Sequence, residues 1–98
     1  MSYLVFCTFD LKNASSQDYQ NAYDLAKIGL HKVVKADNGN DVVIPTTAVM
    51  GSMVGASSSQ VSTDVRSKIQ VMFNARRFKS EIFVVVGGDW AWAAGVTP

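Results

Sequence analysis

The chain has 98 residues, 48% of them hydrophobic and 17% charged, with nine Lys and Arg against eight Asp and Glu for a formal net charge of +1. The hydrophobic fraction and even charge exclude a disordered tail, and the composition excludes collagen-like, coiled-coil and disulfide-scaffold classes. The length suits a single domain over residues 1–98 with one modest core, and the net charge makes no general electrostatic case for a nucleic-acid or anionic-membrane partner.

Cys7 is the only cysteine, so no intrachain disulfide can form, and no nearby cation in the sequence would lower its thiol pKa. The first residues lack the basic n-region and cleavage site of a signal peptide. Their apolar run stops at Asp10, short of the ~20 residues that span a bilayer. The reading is a cytoplasmic domain without a membrane partner.

Tyr3 to Asp10 is β-branched, aromatic or aliphatic with no Gly or Pro, which predicts a buried strand. Alternation puts Tyr3, Val5, Cys7 and Phe9 on one face and Leu4, Phe6, Thr8 and Asp10 on the other. Ser15 followed by Asp18 is a near relative of the capping box. Tyr19, Ala22, Tyr23 and Ala26 then fall on one helical stripe. The first helix is predicted over Ser16 to Ile28, ended by Gly29 at a left-handed C-terminal position.

Val33-Val34 and Val42-Val43-Ile44 flank Asn38-Gly39, a hairpin signal of the type I′ kind. Pro45 removes a backbone donor, so the second arm is predicted to be an edge strand or bulged there, continuing through Thr46 to Met50. Gly51 to Ser59 reads as a flexible stretch whose serines cap a second helix. That helix has Val61, Val65, Ile69, Met72 and Phe73 inward, and Arg76 and Arg77 in its last turn. Ser80 to Val86 predicts another buried strand, broken by Gly87-Gly88. Asp89 to Ala93 is predicted to be a short terminal strand.

The order is β-α-β-β-α-β with a short C-terminal strand. Two helices cannot cover both faces of a four-stranded sheet, so the expected fold is α+β, a ferredoxin-like two-layer sandwich with both helices on one side. The first strand is apolar on both faces, so the uncovered face calls for a second copy of the chain. A homodimer is the expected state, with the tail from about residue 87 to 98 able to cross to a neighbour.

With that order in place, the chain resembles the CRISPR-associated Cas2 and VapD-type family of small ferredoxin-like proteins. The resemblance rests on the strand Tyr3 to Leu11 ending in Phe9-Asp10-Leu11, on a Tyr-containing helix closing at Gly29-Leu30, and on a central hairpin. It extends to a second helix with Val65-Arg66 and a last strand followed by a short tail. It covers most of the chain by topology. It implies dimerisation through the sheets and a metal-dependent endoribonuclease, with Asp10 as the catalytic acid and metal ligand near the dimer axis.

From the residues themselves, Asp10 ends a buried strand, where a carboxylate repeated by dimer symmetry can hold Mg²⁺ or Mn²⁺ or can simply cap loop N–H groups. Arg76, Arg77 and Lys79, with Lys68 nearby, concentrate positive charge and are the candidate contacts to RNA phosphates. His31 is the single imidazole, directly after a helix terminus, and reads either as a general base or metal ligand or as a solvated helix-end residue. Without a His/Cys cluster a structural zinc site is excluded. Gly51 to Ser59 leads into a helix N-terminus, which favours anions, but lacks the Gly-Lys ending of a P-loop. Two other roles remain open: a non-catalytic dimeric adaptor, or a small-ligand-binding protein using that loop.

Overall fold

The first strand, β1, spans Ser2–Leu11 in a computed structural model that describes residues 1–98. Its alternation is realised: Tyr3, Val5, Cys7, Phe9 and Leu11 are buried, while Asp10 is exposed. Ser15 caps α1 (Ser16–Ala22) in a full capping box, its hydroxyl accepting from the Asp18 N–H while the Asp18 carboxylate accepts from the Ser15 N–H. Past Ala22 the helix tightens to a 3-10 helix, Tyr23–Ile28, and Gly29 closes it at φ +88°. The predicted Ser16 to Ile28 helix is thus one segment with two windings.

The hairpin forms as β2 (Val33–Lys35) and β3 (Asp41–Val43). Its turn differs from type I′. Gly39 N–H donates to the Ala36 carbonyl at 2.9 Å, and only Gly39 is left-handed, at φ +84°. The loop is therefore a turn closed by one left-handed Gly, which three-residue hairpins favour. Pro45 marks where the ribbon breaks. The Ile44 N–H still donates to the Lys32 carbonyl, but the next paired position is the His31–Met50 bridge, and Thr46 between them sits at φ +58°. Lys32 holds that detour, its ammonium 5.3 Å from the Tyr23 ring centroid and donating to the Thr46 carbonyl.

Ala48–Val54 (β4) pairs antiparallel with β1, and after α2 (Ser58–Ala75) the chain returns as β5 (Ser80–Gly87) on the other side of β1. The architecture is α+β: a three-stranded antiparallel sheet ordered β4-β1-β5, with a separate two-stranded hairpin. The Gly51 to Ser59 stretch, predicted to be flexible, is corrected here. Gly51 to Val54 completes β4 by pairing with Ser2 to Val5 of β1, and Gly at position 51 lets the Gly29 backbone approach, since a Cβ there would lie 1.9 Å from its carbonyl oxygen. The terminal strand over Asp89 to Ala93 does not form, and those residues pair with no strand.

Both helical segments lie on one side of the sheet. Val61, Val65, Ile69 and Phe73 of α2 and Leu25 of the 3-10 helix are buried with the inward residues of β1 and with Val49. Phe9 centres an edge-to-face aromatic set with Tyr23 and Phe73. Each buried Val, Leu, Ile or Phe contributes about 1.5–3 kcal/mol relative to exposure. The opposite face carries no helix, although at one end Leu4 and Met50 share a cavity with Val33, Val34, Trp90 and Trp92. Register pairs Phe6 with Met50 and Val85, and Thr8 with Phe83, so these side chains share it. Phe83 remains 64% exposed and Val85 49%.

Candidate functional site at the rim of the open face

Asp10 is the last outward residue of β1, and antiparallel register sets it directly opposite Glu81 of β5. Two like charges in that relation repel, and Lys12 relieves them: its ammonium lies 3.0 Å from Glu81 Oε1 and 3.5 Å from Asp10 Oδ2. The Glu81 hydrogen bond and charge, with Asp10 adding to them, hold the Lys12 ammonium above its ordinary pKa. The three groups are exposed, so the cluster sets a local charge pattern and contributes little to stability.

Tyr19 reaches the same point from α1. Its hydroxyl lies 3.1 Å from Asp10 Oδ1 and 3.2 Å from the Leu11 carbonyl, and it accepts from the Leu11 N–H at 3.2 Å. With one proton to give, it donates to one of the two oxygens at a time. The helical stripe marks Tyr19 as a core residue, and its ring does pack against the core. Its polar tip, the part that orients Asp10, is the signal that helical spacing does not carry. Asp10 and Glu81, with Thr8, Thr47 and Phe83, line an open depression of about 460 Å³.

The cations divide. Arg76 turns inward along the surface and pairs with Asp24 of the 3-10 helix, whose carboxylate is also 3.8 Å from Lys27. It joins two elements and is corrected as a free phosphate contact. Arg77, left-handed at φ +60°, and Lys79 form no ion pair and line a cleft of about 300 Å³ with Lys12, Asn13 and Asp18. The Lys12 N–H donates to the Lys79 carbonyl at 2.8 Å, tying the two segments together. Lys12 therefore stands between the carboxylate pair and the unpaired cations.

His31 does not join this site. Its backbone bridges Met50, and it lines a separate cavity with Leu4, Trp90 and Trp92. Cys7 is fully buried, and burial pushes its thiol up to about 11, which keeps it from being a nucleophile at neutral pH. The serines before α2 serve the helix itself: Ser57 Oγ accepts from the Gln60 N–H at 3.1 Å.

No group of three or more His, Cys, Asp or Glu side chains gathers at one point of the chain. The donor set for a hard divalent cation is the Asp10 and Glu81 carboxylates, which suits Mg²⁺ because that ion keeps several waters and takes one or two carboxylates. Lys12 would have to swing away from both. No helix is long and apolar enough to cross a membrane. A scan against protein-family models and a search of curated proteins found no match to the chain.

Proposed function

We propose that the chain acts as a homodimer joined through its open sheet face, and that this dimer is a metal-dependent endoribonuclease of the Cas2 and VapD-like type. The observation that carries the reading is the exposed part of that face: Phe83 and Val85, beside the half-buried Phe6, form an apolar surface whose rim holds the Asp10–Glu81 pair. Covering Phe83 and Val85 with a second copy removes apolar area from water, at about 25 cal/mol per Å². It also brings two sets of rim carboxylates onto one assembly.

In this reading Asp10 and Glu81 hold Mg²⁺ or Mn²⁺, Tyr19 orients Asp10, and Arg77 and Lys79 hold the RNA backbone. The metal supplies activation of water and neutralisation of charge on the phosphate. A ferredoxin-like βαββαβ order is part of the proposal. His31, bridged to Met50 beside β4, supports it as the remnant of a fourth strand at that edge.

A second reading, a non-catalytic dimeric adaptor, is favoured by one observation. Asp10 is already engaged by Tyr19 and Lys12, and it has no third acidic or imidazole neighbour. Cleavage of labelled RNA and DNA with Mg²⁺ or Mn²⁺, comparing wild type with Asp10→Asn, separates the two. Loss of RNA cleavage with dimer mass retained supports the nuclease. Absence of cleavage by the wild type, or equal cleavage by both proteins, leaves the adaptor.

A further inference from the structure

The proposed activity has no use for the chain's two tryptophans, yet both line one cleft. Trp90 and Trp92 form one wall of an opening of about 520 Å³, and the hairpin tip, with Lys35, Asp37 and Asn38, forms the other. This volume lies within the 300–1,000 Å³ range of small-molecule sites. The indoles are 46% and 37% exposed, outside the core, and neither stacks on another ring of the chain. Large aromatic surface left half in water at a concave site, two residues apart on one strip of chain, is a platform in search of a flat partner.

The polar wall narrows the chemistry. Asp37 makes no ion pair, so its carboxylate is a free acceptor. Asn38 uses its Oδ1 on the Asn40 N–H at 3.0 Å, which leaves the amide NH₂ free to donate. Lys35 is held only by an exposed pair with Asp41, which a phosphate can replace at little cost. A purely apolar ligand would leave Asp37 and Asn38 unanswered, and a bare ammonium would meet Lys35. A ring with donors and acceptors along its edge and a phosphate on its tail answers all of them.

We propose that the cleft between the hairpin tip and the Trp90–Trp92 segment binds a nucleotide. The base stacks on the indoles, Asp37 and Asn38 read its edge, and the phosphate lies toward Lys35. Base-on-aromatic stacking tolerates any base because every base presents a π face. The site is distinct from the Asp10 rim and stands whether or not the chain cleaves RNA.

Both tryptophans line this cleft and also the cavity with Leu4 and His31, so their fluorescence reports binding at either, and loss of affinity in Asn38→Ala places it at the hairpin tip. Titration with adenosine and guanosine 5′-monophosphates, excited beyond nucleotide absorption, is expected to quench the emission saturably, while ribose 5-phosphate leaves it unchanged. By calorimetry, Trp92→Ala is expected to weaken binding about tenfold or more, Trp92→Phe to restore part of the loss, and Asp10→Asn to leave affinity unchanged. No saturable quenching by either nucleotide overturns the proposal. Equal binding of ribose 5-phosphate or of maltose also overturns it, the latter marking a sugar site.

Discussion

The two faces of the β4-β1-β5 sheet are built from the same kind of residue and meet opposite fates. The inward face of β1 carries Val5, Cys7 and Phe9 beneath α2 and the 3-10 helix, almost wholly removed from water. The outward face carries Leu4 and Phe6, continued by Phe83 and Val85, with no helix above them. Hydropathy along the strand does not tell these faces apart. The count of helices does, because two helices form one layer. What the contrast teaches is that apolar composition measures the demand for cover, while topology decides whether the chain or a second molecule meets it.

The strongest break in the covered face is Ile69→Ala. Ile69 is fully buried among β1 side chains, so its truncation is expected to cost about 2–5 kcal/mol, read as a lower urea midpoint. Next comes Gly51→Ala, where the new methyl would press on the Gly29 carbonyl. Overpacking of about 1–3 kcal/mol is expected in the same measurement, with loss of the His31–Met50 bridge visible in amide exchange.

The buried thiol gives a pH test of the same face. Cys7 has its pKa raised from 9.0 to about 11 in the folded chain. The folded state holds the proton more tightly, so this group's contribution to stability is complete below pH 9 and is lost as the pH rises to about 11. A thiol reagent at pH 8 is expected to leave the folded protein unlabelled and to label it fully in urea. Removing the cap with Ser15→Ala is expected to cost about 1 kcal/mol, since the Asp18 N–H loses its partner.

The smallest stability effect is expected on the open face and sharpens the comparison most. Phe83→Ser should change the stability of the dilute single chain by no more than about 0.5 kcal/mol. The same variant should abolish the proposed dimer in light scattering. A loss comparable to that of Ile69→Ala would mean that the face is covered within the chain.

Much of this was legible along the chain. Strand β1, the Ser15 cap, the Gly29 terminus and the inward stripe of α2 each follow from local chemistry, because alternation and capping act within a few residues. The expected continuation of the hairpin arm through Thr46 to Met50 does not hold, since the arm ends at Val43 and Ala48–Val54 pairs with β1 instead. Asp10 was legible as the residue ending a strand. Its neighbours Glu81 and Tyr19 were not, since one comes through β1–β5 register and the other through the tip of a core tyrosine.

The sequence by itself determined the type of β1, the two helical segments, the hairpin and β5, and most of the residues that must leave water, because those depend on backbone preference and period. Only the tertiary structure decided that Arg76 is tied to Asp24 while Arg77 and Lys79 stay unpaired. It alone drew Gly51 to Val54 into β4, where the Gly29 carbonyl leaves no room for a side chain. It also left Trp90 and Trp92 beside the hairpin tip without a strand to pair with. Each of these outcomes depends on residues far apart in the chain arriving at one place, and local periodicity carries no record of that.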